Sequence, residues 1–329
     1  MYKKIFLATC VLWALWGCGT EDSQNPPKQD TPPPAQANVK LAPAFNADSA
    51  YTFIEKQLSF GFRVTGTKSH KACADWLVKK FKSYGAEVTV QAATVSTYDR
   101  KTQLPIQNII AAYNPQATRR IIFSAHWDSR PWADQDSVRK TEPIMAANDA
   151  GSGVAVLLEM ARLFQQKNPT IGVDLILWDA EDWGKSDQAA ESYCLGSQYW
   201  GLHLHKANYQ ALYGVNLDMV GAEGAQFLQD EGSMQYASAA MQKLWGVANE
   251  LGYGSHFSYE KCPGLIDDHV FMNTLGKVPS IDVIDRRKDA DGYGFFAHWH
   301  THQDNMAAIS KETLKAVGQS VAELAYRER

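Results

Sequence analysis

Apolar positions along this chain recur with two periods, and the switch between them outlines the fold. Residues 48–58 and 69–84 carry apolar side chains at helical spacing, the second through Ala72, Trp76, Leu77, Phe81 and Tyr84, with Gly85 as its stop. Residues 88–95 and 108–113 have β character, and residues 120–125, with Ile121, Ile122 and Phe123, form the continuous apolar run of a strand covered on both faces of a parallel sheet. Residues 152–166 stack Val154, Leu157, Leu158, Ala161 and Phe164 on one helix face, and Pro169 lies just beyond. Further strands are predicted at 173–178, 213–217 and 277–284, and further helices at 233–251 and 311–326. Strand alternating with helix predicts a single three-layer α/β/α domain around a mostly parallel, twisted central sheet. No internal repeat with a period of about 20 to 50 residues is present.

The first residues follow neither period. Lys3 and Lys4 precede an apolar stretch, residues 5–16, that is too short to span a bilayer comfortably and reads as an export signal. It ends in Leu15-Trp16-Gly17-Cys18, which resembles the lipobox of bacterial lipoproteins. That resemblance implies acylation at Cys18 and an exported, lipid-anchored protein, at the periplasmic face or cell surface of a Gram-negative-type envelope. Residues 19–43 are polar, with Pro26, Pro27 and Pro32 to Pro34, and lack apolar periodicity, as expected of an extended tether. The expected organisation is therefore a signal peptide at 1–17, a lipidated tether at 18–43 and a catalytic domain at 44–329.

Composition narrows the function. With 45% hydrophobic and 21% charged residues, 329 residues have ample material for a core. The net charge of −4 arises from interspersed acids and bases, which argues against a nucleic-acid partner. Once Cys10 leaves with the signal and Cys18 carries lipid, Cys73, Cys194 and Cys262 remain in an oxidising compartment, with one disulfide and one free thiol open to them and no choice among the pairings. No C-x-x-C pair supports a thiolate zinc site.

The chemistry-bearing residues cluster by position. Each strong strand runs into acids or histidine at its carboxyl end, where open α/β sheets place their ligand crevice. Residues 120–125 lead to His126 and Asp128, residues 173–178 to Asp179, Glu181 and Asp182, and residues 213–217 to Asp218, while Asp282 and Asp285 mark the strand at 277–284. Any one of these acids reads equally as a helix cap; the set does not. Asp149 sits in Asn148-Asp149-Ala150-Gly151-Ser152-Gly153, a turn whose small residues let a backbone approach closely. Glu181 and Asp182 are neighbours whose side chains point to opposite sides of an extended chain, so one can bind metal while the other faces substrate. His298, His300 and His302 gather around Trp299 before the last helix, and imidazole is the usual companion of carboxylates on zinc.

In order along the chain, Phe123 through Arg130, Asn148 through Gly153, Asp179-Ala180-Glu181-Asp182, Asn216-Leu217-Asp218 and Trp299-His300-Thr301-His302-Gln303-Asp304-Asn305 resemble the motifs of zinc peptidases of the bacterial leucyl aminopeptidase type. The resemblance covers roughly residues 48–329. Within that superfamily, residues 126–134, the segment Ile266-Asp267-Asp268-His269 and the tryptophan before His300 are similar to the glutaminyl cyclases of animal type that also occur in bacteria. The resemblance implies a single zinc held by Asp149, Asp182 and His300, a proton-handling Glu181, and a hydrogen-bonded acidic pair, Asp218 with Asp267. The chain departs from the animal enzymes in carrying Asp182 for glutamate, Ala150 for serine and Asp282 for histidine. The shorter carboxylate bears on the zinc geometry, and the other two on the groups around it.

The implied activity closes the N-terminal glutamine of a peptide or protein into pyroglutamate and releases ammonia. Such a reaction needs a polarised γ-carbonyl, a base for the α-amine and an acid for the departing ammonia. Two close carboxylates such as Asp218 and Asp267 would share a proton. Because the attack is intramolecular, a wall that folds the side chain back on its own amine supplies rate, and Trp299 and Trp183 are the candidates for it. A monomer is expected. Two alternatives remain open at this level: a two-zinc aminopeptidase, with His126 and Asp218 on a second metal bridged by Asp149, and a catalytically silent peptide-binding lipoprotein.

Overall fold

The computed structural model describes residues 41–185, 187–289 and 292–329. The expected export signal, the expected lipidation site at Cys18 and the expected tether up to residue 40 therefore lie outside the described residues. Leu41 and Ala42, which composition assigns to the end of that tether, already belong to the folded body: their backbone N–H groups donate to the Glu323 carboxylate at 2.8 to 3.1 Å.

Helix α1 (Ala47–Leu58) begins where the Asn46 side chain accepts from the Ser49 N–H, and α2 (Lys68–Ser83) where Thr67 does the same for His70. Gly85, at φ +82°, ends α2 in the left-handed conformation that glycine adopts without cost. Strands β1 (Glu87–Ser96) and β2 (Gln103–Tyr113) form an antiparallel hairpin. β2 starts well before the β-like run at 108–113 because Pro105 breaks the pattern, yet Leu104 and Ile106 on either side of it are buried.

The remaining elements are β3 (Arg120–His126), α3 (Gly151–Gln166), β4 (Gly172–Trp178), α4 (Leu195–Leu202), β5 (Gly214–Asp218), β6 (Phe227–Asp230), α5 (Glu231–Glu250), β7 (Phe257–Cys262), α6 (Asp268–Thr274), β8 (Ser280–Ile284), β9 (Arg287–Asp289), β10 (Gly292–Gly294) and α7 (Lys311–Arg327). The central sheet has the order β1-β2-β4-β3-β5-β8, with β4, β3, β5 and β8 parallel and β2 antiparallel to β4. The expected sheet is thus present, with an antiparallel hairpin on one edge. The strand expected at 277–284 starts only at Ser280, because Lys277 takes a left-handed turn and Pro279 offers no N–H to the ladder.

Consecutive residues of β3 serve opposite layers. Ile121 and Phe123 pack with α1, α2, α3, α5 and α7 in the main core, while Ile122 joins Ile176, Trp178, Trp200 and Met272 beneath α4 and α6. Both faces are covered, so β3 and β4 are buried along their whole length and read as continuous apolar runs. The one acid inside β4, Asp174, is satisfied by Arg120 Nε at 2.7 Å and the Tyr209 hydroxyl at 2.5 Å. Helix α3 lies so close to the sheet that a Cβ on Gly153 would stand 2.4 Å from the Leu217 carbonyl oxygen and 2.8 Å from Ala125 Cβ. Glycine at 153 is what lets the start of α3, and Asp149 before it, reach the strand ends.

Candidate active site and metal centre

The parallel strands end on one side of the sheet, and the sequence-predicted residues collect there. His126 closes β3 and Asp218 closes β5, while the chain leaving β4 turns through Ala180 at φ +54°. Met219, Cys194 and His300 also hold left-handed backbone beside the site. Two buried acids to which the sequence assigned no role shape it. Asp128 accepts the N–H groups of Glu181 and Asp182 at 3.1 and 3.2 Å. Asp304 accepts those of Asn148 and Asp149 at 2.8 and 3.1 Å, and burial together with the Asp149 charge pushes its pKa up to about 8.

Asp149, Asp182 and His300 come together from three separate loops, each with one donor atom within 4.8 Å of the others. His300 Nε2 lies 3.3 Å from Asp182 Oδ1 and 3.7 Å from Asp149 Oδ2. On the far side of the ring, Nδ1 lies 3.3 Å from Asp134 Oδ1. Arg130, fully buried, ties this acid to the trio: Nε and Nη2 donate to Asp134 at 2.7 and 2.8 Å, and Nη1 donates to Asp182 Oδ1 at 2.7 Å. Asp182 Oδ2 is buried without a hydrogen-bond partner. Two carboxylates and an imidazole converging in a buried place, one oxygen unpaired and the histidine backed by a carboxylate, fit a zinc ion with a conventional surrounding shell. Asp182 thus reaches the trio despite its shorter side chain. Of the other two histidines in the cluster, His298 is exposed and His302 Nδ1 lies 2.7 Å from Asp136, so only His300 joins the trio.

A second trio shares Asp149. His126 Nε2 lies 2.9 Å from Asp149 Oδ1 and 3.2 Å from Asp218 Oδ1, so the donor set of the two-metal alternative is also assembled. Burial opposes a charged His126 ring, yet Asp128, Asp149 and Asp218 together raise its pKa well above the ordinary value. A charged ring is thus favoured between Asp149 and Asp218, the carboxylates that would help hold a second metal.

Glu181 and Asp182 lie in a bend after the left-handed Ala180 and not on extended chain, and of the two only Asp182 joins the trio with Asp149 and His300. Glu181 faces a cavity of about 320 Å³ together with Asp218, Asp267, Trp299, Tyr193 and Ile266, and Asp149, Asp182 and His300 line the same cavity. Burial, with the charges of Asp182 and Asp267 adding to it, raises the Glu181 pKa well above the usual carboxylate range, against the pull of His126. Its Oε1 accepts from the Cys194 thiol at 3.2 Å.

Three expectations change. Asp218 and Asp267 line one cavity but make no hydrogen bond to each other: Asp218 faces His126, and Asp267 is turned to cap α6 through the Asp268 N–H, leaving its Oδ2 unpaired. They still interact through space, and Asp218 is pushed up to about 7 by burial and by the Asp149 charge. Trp183 is not part of the cavity wall. The chain turns after Asp182 and sends it edge-on against Trp132, at 5.8 Å between rings, over the small core of Leu104, Ile106, Ala180 and Leu195. Trp299 does line the cavity, stacked on the His300 ring at 3.7 Å. Finally, the three cysteines within the described residues, Cys73, Cys194 and Cys262, are all free and buried.

Residues 108–325 match the family model of peptidase family M28. Among solved structures, the chain is similar to a glutaminyl cyclase of Bacteroides thetaiotaomicron bound to N-acetylhistamine, at 44% identity and a TM-score of 0.84, covering 88% of this chain and 100% of that one. It is similar to the Porphyromonas gingivalis glutaminyl cyclase at 46% identity and a TM-score of 0.82, covering 87% and 98%. Among curated proteins, it is 27% identical over 251 residues to the aminopeptidase YwaD of Bacillus subtilis (strain 168), covering 74% of this chain and 50% of that protein. The chain spans 62% and 50% of the lengths of the first curated relatives it matches.

Proposed function

The chain belongs to peptidase family M28, and from that premise we propose that it is a zinc-dependent glutaminyl-peptide cyclotransferase acting on peptides or proteins with N-terminal glutamine. The observation that carries the reading is the single cavity faced by both Glu181 and the trio Asp149, Asp182 and His300, in a chain that spans the whole length of a bacterial glutaminyl cyclase at 44% identity. Zinc held by that trio would supply a Lewis acid for the γ-carbonyl oxygen. Glu181, its proton affinity raised by burial, takes a proton from the α-amine as the nitrogen bonds to the γ-carbonyl carbon. The same carboxyl returns the proton to the amide nitrogen as the carbon–nitrogen bond breaks and ammonia leaves. Asp218 and Asp267 line the same cavity and offer carboxyl oxygens to the incoming amine, and Trp299 forms the apolar wall against which the glutamine side chain folds.

One zinc per chain is supported by the placement of His126 between Asp149 and Asp218, whose carboxylates favour a charged ring there. The rival two-zinc aminopeptidase is favoured by one observation, the proximity of those same three donors. Product mass separates the two: incubation with a glutamine-initiated peptide gives loss of ammonia alone from a cyclotransferase and stepwise loss of residues from an aminopeptidase. An unchanged peptide would leave only a binding protein. The export-signal-like and lipobox-like segment ending at Cys18 supports anchoring to the envelope; retention of label from a fatty acid by the wild type and its loss in Cys18→Ala test this.

A further inference from the structure

We infer that Cys194 is a positioning residue for Glu181, its thiol holding the carboxylate turned to the cavity. The inference rests on Glu181 being the group that moves the proton. Cys194 Sγ stands 3.2 Å from Glu181 Oε1, and among the described residues it is the only hydrogen-bond donor to that carboxylate. The nearest alternative, His126 Nδ1, is 4.0 Å from Oε2. The backbone is tied at the same place: the Cys194 N–H donates to the Glu181 carbonyl at 2.8 Å and the Leu195 N–H to the Ala180 carbonyl at 3.1 Å. The start of α4 therefore clamps both the main chain and the side chain of Glu181.

The conformation of Cys194 is the second observation. It lies at φ +58°, ψ +34°, where a residue with a Cβ is strained and glycine is not. Glycine would satisfy the turn, so the backbone gives no reason for a side chain here; the contact with Glu181 does. The surroundings explain why a donor is needed. Asp182, Asp267 and Asp268 all act on Glu181 with like charge. Without the thiol, the carboxylate would swing from them toward His126. Burial, and after it the charges of Glu181, Asp268 and Asp267, raise the thiol pKa well above its ordinary value, which keeps the hydrogen in place for donation. A thiol is also a small, weakly polar group that sits in a buried wall at little desolvation cost.

The test compares Cys194→Ala, Cys194→Gly and Cys194→Ser in the zinc-loaded protein, reading ammonia release from a glutamine-initiated peptide together with zinc content. Alanine and glycine are expected to lower kcat roughly 10- to 100-fold, with KM within about twofold of wild type and zinc retained. Serine, which keeps a donor, recovers most of the rate. Glycine suits the left-handed turn, so its loss of rate separates positioning from folding. Wild-type kcat in both alanine and glycine variants overturns the inference, as does a serine variant no faster than alanine or a loss of zinc in all three. If the wild type instead removes residues one at a time, the cyclotransferase reading fails, and the same pattern is then expected in the rate of residue release, so the two failures remain distinguishable.

Discussion

His126 Nε2 lies 2.9 Å from Asp149 Oδ1, while the other oxygen of the same carboxylate faces His300. A single carboxylate thus reaches both His126 and the trio it forms with Asp182 and His300. If His126 carries the charge, the site is complete with one zinc. Elemental analysis of protein purified without chelator is expected to give one zinc per chain, and His126→Ala is expected to keep it. Two zincs in the wild type falling to one in the variant would establish the two-metal site.

Glu181→Gln preserves shape and hydrogen bonding but removes the base. Zinc content is expected to stay at the wild-type level, because Asp182, not Glu181, belongs to the trio. Turnover is expected to fall about 10²- to 10⁴-fold, the usual contribution of a general acid–base group. Rates from the purified variant near those of the wild type would reject the assignment.

Arg130→Lys tests the support of the metal centre. The guanidinium serves Asp134 through two donors and Asp182 through a third, a geometry that one ammonium cannot reproduce. The variant is expected to bind zinc roughly 10- to 100-fold more weakly in competition with a chelator. Unchanged affinity would show that Asp182 and Asp134 hold their places without it.

His205 gives a pH dependence away from the site. It sits between Trp200 and Tyr209, accepts the Trp200 indole N–H at 2.9 Å, and is pushed down to about 4, chiefly by burial. The unfolded chain, with an ordinary pKa of about 6.5, binds this proton more readily than the fold does. Its contribution is therefore fully present above about pH 6.5 and lost as pH falls toward 4, at no more than about 1.4 kcal/mol per pH unit. Denaturant titrations at several pH values should show a shallower loss over this window in His205→Gln than in wild type.

The order of strands and helices, and the acids and histidine at the strand ends, were legible from the sequence because both are local. Ile121 to Phe123 read as a doubly covered strand from three residues, and the turn before α3 marks Asp149 through its small neighbours. The elements that escaped are short: α4 and α6 are too brief to show a helical period, and β6 and β7 are a small parallel pair whose partners lie far apart in the chain. What only the tertiary structure decided is which side chains face each other. Asp218 turns to His126 and not to Asp267, Trp183 packs on Trp132, Arg130 reaches Asp182, and Cys194 meets Glu181 through a turn no pattern announces. Periodicity says which face of an element is buried, but the partner across a cavity depends on where separate loops are brought by packing over the sheet, and that is set by the whole core at once.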